Sequence, residues 1–373
     1  MFSFLHKKNR PKNVWVIQGL FLWVSYGFAG LLYLRFFQQQ ISFWEFFFAE
    51  GFFTVLLLIF LLLNRSFSSR RNILIGFALT ALAFALLFLP FSRALFYMYV
   101  IVRGFGSIIF YVAYNIEYFA LTPENKRLEH MTWYWIIPTV VLAVAPLAGA
   151  FLLSRFSFFW FVMAAFVVLA IGVWFVLSAV SPHVTRYTPH EALTHLRGLR
   201  LLTAIDGALN KVMKAGIPVF ALLYIQTEWE YGKFLSLVAV VSVFVSLAIA
   251  RHSDKIQKRA VFLWPLAILT GCITAFFYFV DSFLSFFLLT IFLQALTVMT
   301  EPIRANIMQD VKKNEPLNWI SREIYLNIGR AIFFFIIVLF LRFDMAKEVF
   351  LFFAFLNIIF PFMVWSKKVY AAH

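Results

Sequence analysis

Long apolar runs broken by short polar turns set the pattern of this chain from one end to the other. Twelve such stretches can be drawn, near residues 13–35, 41–63, 73–91, 94–119, 132–154, 157–180, 203–226, 232–250, 260–280, 283–302, 319–341 and 348–366. A helix rising 1.5 Å per residue needs about 20 residues to cross a hydrocarbon core about 30 Å thick, and most of these stretches supply them. The pattern predicts an all-α polytopic membrane protein with 12 transmembrane helices. Lys and Arg crowd the N-terminus, the even-numbered loops and the C-terminus, and are sparse in the odd-numbered loops. Because cationic loops are retained on the inside, this asymmetry predicts that both termini are cytoplasmic. The first stretch follows Lys7, Lys8, Arg10 and Lys12 as a signal peptide would. It lacks a small-residue cleavage site and is read as a retained helix.

Composition changes the picture only by exclusion. Hydrophobic residues make up 63% and charged residues 13%, against about a quarter charged in soluble domains. The net charge of +15 sits in short loops, where anionic headgroups account for it, so membrane lipids and not nucleic acid are the expected partner. The single cysteine, Cys272, excludes an intramolecular disulfide and a multi-cysteine metal site. All seven histidines fall in loops or termini, with no metalloprotease spacing. No span pairs acids at short spacing, and no Gly-Lys-Ser/Thr loop could cradle a phosphate. No catalytic residue, metal or cofactor is expected, and the chain is not read as an enzyme.

The longest polar segment, residues 181–202, separates six stretches (1–180) from six more (203–373). Within it Thr188-Pro189-His190-Glu191 has the form of a helix start, with a capping residue, Pro at the first position and an acid to close the cap. Leu193, Leu196 and Leu199 alternating with Arg197 and Arg200 predict a short amphipathic helix on the membrane surface; a plain linker is the alternative. The halves look like weak repeats. Asn64-Arg65-Ser66-Phe67-Ser68-Ser69-Arg70-Arg71 follows the second stretch, and Ser253-Asp254-Lys255-Ile256-Gln257-Lys258-Arg259 follows the eighth. The fourth and tenth stretches end in Glu117 and Glu301, followed by the basic pairs Lys126-Arg127 and Lys312-Lys313.

In these features the whole chain resembles the major facilitator superfamily: two six-helix halves, cytoplasmic termini and a central cytoplasmic loop. The most specific match is Asp254-Lys255-Ile256-Gln257-Lys258-Arg259, similar to the family's acidic-and-basic loop motif with Gln257 in place of Gly. The first-half copy, with Asn64 and Arg65, departs further because Asn replaces the acid. By resemblance, Asn64, Arg65, Asp254, Lys255, Lys258 and Arg259 belong to loops that latch one conformation. Arg103-Gly104-Phe105-Gly106-Ser107 is similar to the fourth-helix motif, and Ala145-Pro146-Leu147-Ala148-Gly149-Ala150 to a relaxed fifth-helix signature of proton-coupled antiporters. The resemblance implies a multi-pass protein of the cell membrane, monomeric, moving a small molecule by alternating access with protons as coupling ion. The fifth-helix signature points to efflux by antiport. A proton-coupled importer of a sugar, peptide or anion is the alternative, and a non-transporting receptor or scaffold, or a polytopic membrane enzyme, represents other classes.

Charged groups at mid-bilayer cost at least about 2.5–3.5 kcal/mol each, so the few present are candidates for function. Glu50, Arg103 and Arg330 all lie about nine residues into their spans and share one layer. An acid that exchanges cationic partners as the protein moves is a candidate proton site, and a static ion pair is the structural alternative. On the seventh stretch Asp206, Asn210 and Lys214, at i, i+4 and i+8, share a helical face with Lys211 beside it. By resemblance, the first, fourth, seventh and tenth spans line a substrate cavity, which adds Gln18, Tyr26, Tyr114, Asn115 and Gln294 to Asn210 and Lys214. Asp206, Glu117, Glu301 and Glu323 are placed near the cytoplasmic surface, where solvation or gate salt bridges suffice.

The charge asymmetry makes a direct prediction about topology. In a Cys272→Ala background, cysteines placed in the Gln38–Gln40 or Thr227–Tyr231 turns should react with an impermeant thiol reagent from outside. Cysteines at Ser68 or Gln257 should not, and labelling of both sets from one side would contradict the twelve-span arrangement.

Overall fold

The computed structural model describes residues 13–121, 127–253, 259–311 and 316–366, and helical structure underlies each of the twelve apolar stretches. In chain order the helices are α1 (Asn13–Gln38), α2 (Phe43–Leu63), α3 (Ser69–Leu86), α4 (Arg93–Ala120), α5 (Arg127–Arg155), α6 (Phe158–Ala179), α7 (Pro189–His195), α8 (200–221), α9 (Glu228–Ser253), α10 (Arg259–Phe276), α11 (Phe283–Val311), α12 (Pro316–Arg342) and α13 (Glu348–Ser366). Two short strands, β1 (Ser66–Ser68) and β2 (Val184–Arg186), and a 3-10 turn (Phe277–Phe279) complete the described elements. Among the described residues, nine helices are long and apolar enough to cross a membrane. The chain is thus a multi-pass α-helical membrane protein.

Several helices outrun the apolar stretches that announce them. The third was expected over 73–91 but forms at Ser69–Leu86, because β1 delivers the chain to the helix start and Pro90 bars helix just beyond its end. The eleventh continues past its apolar part to Val311, and the twelfth begins at Pro316. Two helices contain a wider π turn, Trp23–Phe28 in α1 and Val212–Gly216 in α8. Such turns frequently mark functional sites in otherwise regular helices.

Packing sorts the chain into two compact units. The first holds Met1–Ile41, Ile59–Pro189 and Gln226–Ala239; the second holds Ser42–Leu58, His190–Ile225 and Val240–His373. Helices α2 and α9 therefore contribute residues to both, and the boundary in the central segment falls at the start of α7.

In the first unit α3 and α4 cross at a pair of glycines. A Cβ added to Gly76 would lie 2.8 Å from Gly106 O, and one on Gly106 would lie 3.0 Å from Gly76 O. Around this crossing Phe21 stacks on Phe110 at 3.7 Å between ring centres, and Phe77 meets both edge-on. The small residues of the relaxed fifth-helix signature do similar work. Ala145 fits against Gly27 of α1, while Ala150 and the Pro146 carbonyl fit against Gly232 of α9. The Leu147 amide donates to Ser236 Oγ at 3.1 Å.

The central segment contributes a ribbon to the same unit. Strand β1 pairs antiparallel with β2, in register Ser66↔Arg186, Phe67↔Thr185, Ser68↔Val184. The Ser69 amide extends it by donating to His183 O at 2.8 Å, and the Tyr187 amide donates to Arg65 O at 3.1 Å. Tyr187 stacks on buried Phe67 and donates its hydroxyl to Leu61 O at 2.8 Å. Burial pushes the Tyr187 phenol up to about 12, against a smaller opposing effect of the Asn64 hydrogen bond, so it stays neutral and a donor.

The second unit rests on a closer crossing, between α8 and α12. A Cβ on Gly207 would lie 2.7 Å from Leu326 Cα, and one on Gly329 would lie 2.9 Å from Ala204 Cα; each would fall closer still to the facing carbonyl oxygen. Helix α7 begins at Pro189, as Thr188-Pro189 predicts. The expectation that it lies on the membrane surface is corrected: Ala192, Leu196 and Leu199 are buried in the protein. Tyr325 of α12 donates to Leu193 O at 2.7 Å, and His195 hydrogen-bonds Asn318 of α12. Gly198, with φ of +95°, turns the chain into α8 in a conformation that a side chain would strain.

Replacing Gly329 by Ala should be poorly tolerated. The obstructing atoms are backbone, so the helices must move apart, an over-packing cost of about 1–3 kcal/mol or more. Gly198→Ala should also destabilise, but by strain at positive φ with no steric clash, since nothing lies near its added Cβ. Thermal unfolding of the detergent-solubilised protein checks both; an unchanged melting temperature for Gly329→Ala would contradict the crossing.

Candidate functional site

The α8–α12 crossing fixes the spacing of an unusually ionic patch in the second unit. Asp206, next to Gly207, is 4% exposed and receives Arg304 Nε of α11 at 2.9 Å and Arg322 of α12 at 3.1 Å. Arg304 also donates to Thr300 Oγ1 at 2.9 Å. One carboxylate thus holds two guanidinium groups, and Leu199, Leu202, Ile307 and Phe360 wall the surrounding space. About two turns further along α12, Arg330 pairs with Glu323 and donates to Asn327 Oδ1 at 3.2 Å; Asn327 in turn donates to Glu323 at 3.1 Å. Spacing of i, i+4 and i+7 brings these three side chains to one face of the helix.

The π turn of α8 carries a second set. Lys214 extends its ammonium to Glu301 of α11 at 2.6 Å and to Asn210 Oδ1 at 2.6 Å. The Lys214 side chain is 44% exposed while Glu301 is nearly buried, so the pair presents its cation outward and keeps its acid in. Lys211 lies 3.7 Å from Glu50 of α2 and above the ring of Phe334. Gln294 of α11 donates to Ser242 of α9.

The candidates of the first unit form a different kind of surface, aromatic and neutral. Tyr114 donates to Gln18 Oε1 at 3.2 Å, and the Gln18 amide donates to Tyr134 O at 3.4 Å. Tyr134 donates its hydroxyl to Asn115 Oδ1 at 2.9 Å, and its ring stacks with Tyr114. Tyr26, in the π turn of α1, approaches Ser107 Oγ at 3.4 Å. Arg103 reaches the same turn: it donates to Ser25 O at 3.3 Å and to Tyr33 Oη at 3.4 Å. The guanidinium braces α4 against the widened turn of α1.

The structure therefore distributes the three charged groups that the sequence places in one layer. Arg330 meets Glu323 on its own helix, Glu50 meets Lys211, and Arg103 belongs to the first unit. Of the expected cavity residues, Asn210 and Lys214 meet in one cluster and Gln18, Tyr114 and Asn115 in another. Asn64 donates to Ser66 O at 2.8 Å and Arg65 enters the ribbon through its backbone. The second-half loop, with Asp254, Lys255, Gln257 and Lys258, lies outside the described residues, as do Lys126, Lys312, Lys313 and the side chain of Arg259.

Sequence reasoning missed Arg304 and Arg322; Glu301 and Glu323, expected near the cytoplasmic surface as solvated or salt-bridged acids, pair with Lys214 and Arg330. Arg304 lies beyond the apolar stretch 283–302, on a part of α11 that hydropathy does not mark. Glu301 sits ten residues before the end of α11, about 15 Å along the helix. The signal that could have found Arg304 is helical spacing, since it donates to Thr300 four residues before it.

No family model matches the sequence, and no curated protein is similar to it. Solved structures are similar in fold. One, a crystal structure of a POT family transporter in complex with a thioalcohol-conjugated peptide, superposes with a TM-score of 0.71 at 13% identity, over 96% of each chain. Another, a POT family transporter in complex with 5-aminolevulinic acid, gives 0.68 at 12% identity, again over 96% of each chain. The chain has the fold of these transporters.

The Asp206 cluster makes a stability prediction. Asp206→Ala leaves two buried guanidinium groups without their carboxylate, which should cost about 3–5 kcal/mol and lower the melting temperature sharply. Replacing Asp206, Arg304 and Arg322 together by Leu, Met and Met should cost much less. A single variant as stable as wild type would show the cluster to be solvated.

Proposed function

We propose that the chain is a secondary active transporter that takes up a small zwitterion, a short peptide or an amino acid, together with protons, by alternating access. The observation that carries this reading is the Lys214–Glu301 pair on the π turn of α8, with Asn210 beside it. An ammonium and a carboxylate held side by side complement a ligand that carries both. The ligand's carboxylate would take Lys214 and its amine would hydrogen-bond Glu301, so each group keeps a partner. A proton on Glu301 would release Lys214 for the ligand's carboxylate and still leave the acid's carbonyl oxygen to accept from the ligand's amine, so proton and substrate would be bound together. Lys211–Glu50 offers a second such pair close by on the same helix.

Uptake is favoured over export by antiport for two reasons. The export reading rests on the relaxed fifth-helix signature, and close packing of Ala145 and Ala150 against Gly27 and Gly232 accounts for those small residues. The similar folds hold a conjugated peptide and 5-aminolevulinic acid, both of which fit an importer of amine-and-carboxylate compounds. The protein would act as a monomer in the cell membrane with both termini inside.

Reconstituted Glu301→Gln protein should exchange a labelled dipeptide for unlabelled dipeptide yet fail to concentrate it under a proton gradient, because an amide keeps the shape but carries no proton. Wild-type protein should prefer the free dipeptide over its C-terminal amide about 10- to 100-fold, the worth of one hydrogen bond to a charged group. A Glu301→Gln protein that still accumulates dipeptide would remove this acid from the coupling.

A further inference from the structure

The ribbon of β1 and β2 borders a groove along the outer face of α3, in the first unit, lined by none of the residues of the charge pairs discussed above. It is an open groove of about 400 Å³. Arg70 and Arg71 stand at one end, at the start of α3. Leu74, Ile75 and Ala78 continue from them along the helix, and Pro182 of the central segment borders the groove. Positions 71, 74, 75 and 78 follow the i, i+3, i+4, i+7 spacing of one helical face. That face is turned outward, with Arg71 and Ala78 exposed, whereas Asn72, Ile73, Gly76 and Phe77 are buried toward α4. No carboxylate lines the groove among the described residues.

We propose that this groove binds one anionic phospholipid, with its phosphate between Arg70 and Arg71 and an acyl chain along Leu74, Ile75 and Ala78. The two ends of the groove demand different chemistry at a fixed separation, a doubly cationic head and then an apolar wall running into the bilayer. A free phosphate would satisfy the first end only, and a neutral lipid the second only. Arginine suits the role because its fork meets phosphate oxygens in a bidentate way while its stem lies along apolar surface. Basic residues near a membrane surface attract anionic lipid in general. What distinguishes this place is that Pro182, held beside the ribbon, borders the groove together with the two arginines and the apolar face of α3. Occupancy would also secure the ribbon, because Ser68 of β1 and Pro182 just before β2 both border the groove.

The test uses the full chain in nanodiscs of phosphatidylcholine, alone or with phosphatidylglycerol. Wild-type protein should melt at a higher temperature with phosphatidylglycerol and carry one such lipid per protein through native mass spectrometry. The Arg70→Gln/Arg71→Gln variant should lose both effects while melting like wild type in phosphatidylcholine. A control variant, Arg65→Gln/Arg186→Gln, removes two exposed arginines of the ribbon outside the groove and should keep both effects. Inorganic phosphate added to phosphatidylcholine discs should not reproduce the stabilisation. The proposal is overturned if phosphatidylcholine alone stabilises equally, if inorganic phosphate suffices, or if the control variant loses as much as the groove variant.

Discussion

Backbone meets backbone where α8 crosses α12, and the chemistry of the second unit depends on that contact. Gly207 and Gly329 each lack the side chain that would strike the facing helix, and the helices close to a distance that no other residue permits. Asp206 is the immediate neighbour of Gly207, so the close approach delivers its carboxylate to Arg322 across the crossing. Arg304 of α11 completes the clamp. From that fixed point α8 runs on into its π turn, where Lys211 and Lys214 find acids on two other helices. Packing comes first here, and the charges are placed by it. In an apolar medium the pairs also restrain one another, because a buried charge that loses its partner is costly.

The first unit solves the same packing problem with fewer charges. Gly76 and Gly106 bring α3 and α4 together, aromatic rings fill the space around them, and Arg103 spends its hydrogen bonds on the π turn of α1. Its polar residues bond mostly to one another, as in the chain from Tyr114 through Gln18 and Tyr134 to Asn115. The central segment is tied in at both ends: the ribbon fastens it to the loop after α2, and α7 fastens it to α12. Asn64, which stands where the related loop motif has an acid, bonds within its own turn, and strand pairing supplies the hold that its side chain does not.

How much of this was legible follows from which forces act locally. Membrane helices must satisfy their own backbone, so hydropathy alone marks them, and every apolar stretch coincides with helical structure. The start of α7 was legible for the same reason, since Thr188-Pro189 is a local signal. The face that α7 buries was not, because amphipathicity does not say whether the apolar side meets lipid or protein. The three-residue ribbon was invisible, since strand pairing between residues more than a hundred apart leaves no periodicity. Shared depth in the bilayer suggested a common layer for Glu50, Arg103 and Arg330, but depth says nothing about azimuth. Rotation about each helix axis gives Arg330 to Glu323 and Glu50 to Lys211. The stripe of Asn210 and Lys214 survived because both groups lie on one helix, where spacing does fix azimuth.

Two ammonium groups of α8, each paired with a carboxylate of another helix, in a fold shared with transporters in complex with a conjugated peptide and 5-aminolevulinic acid, form the centre of the functional account. Its most direct test is proton movement driven by substrate alone. Wild-type protein would be reconstituted into vesicles enclosing a pH-sensitive dye, with equal pH on both sides, and dipeptide added outside. Uptake coupled to protons predicts that the vesicle interior acidifies as labelled dipeptide enters, and that the dipeptide amide produces little of either. Entry of dipeptide with no change in internal pH, or alkalinisation as it enters, would contradict the account.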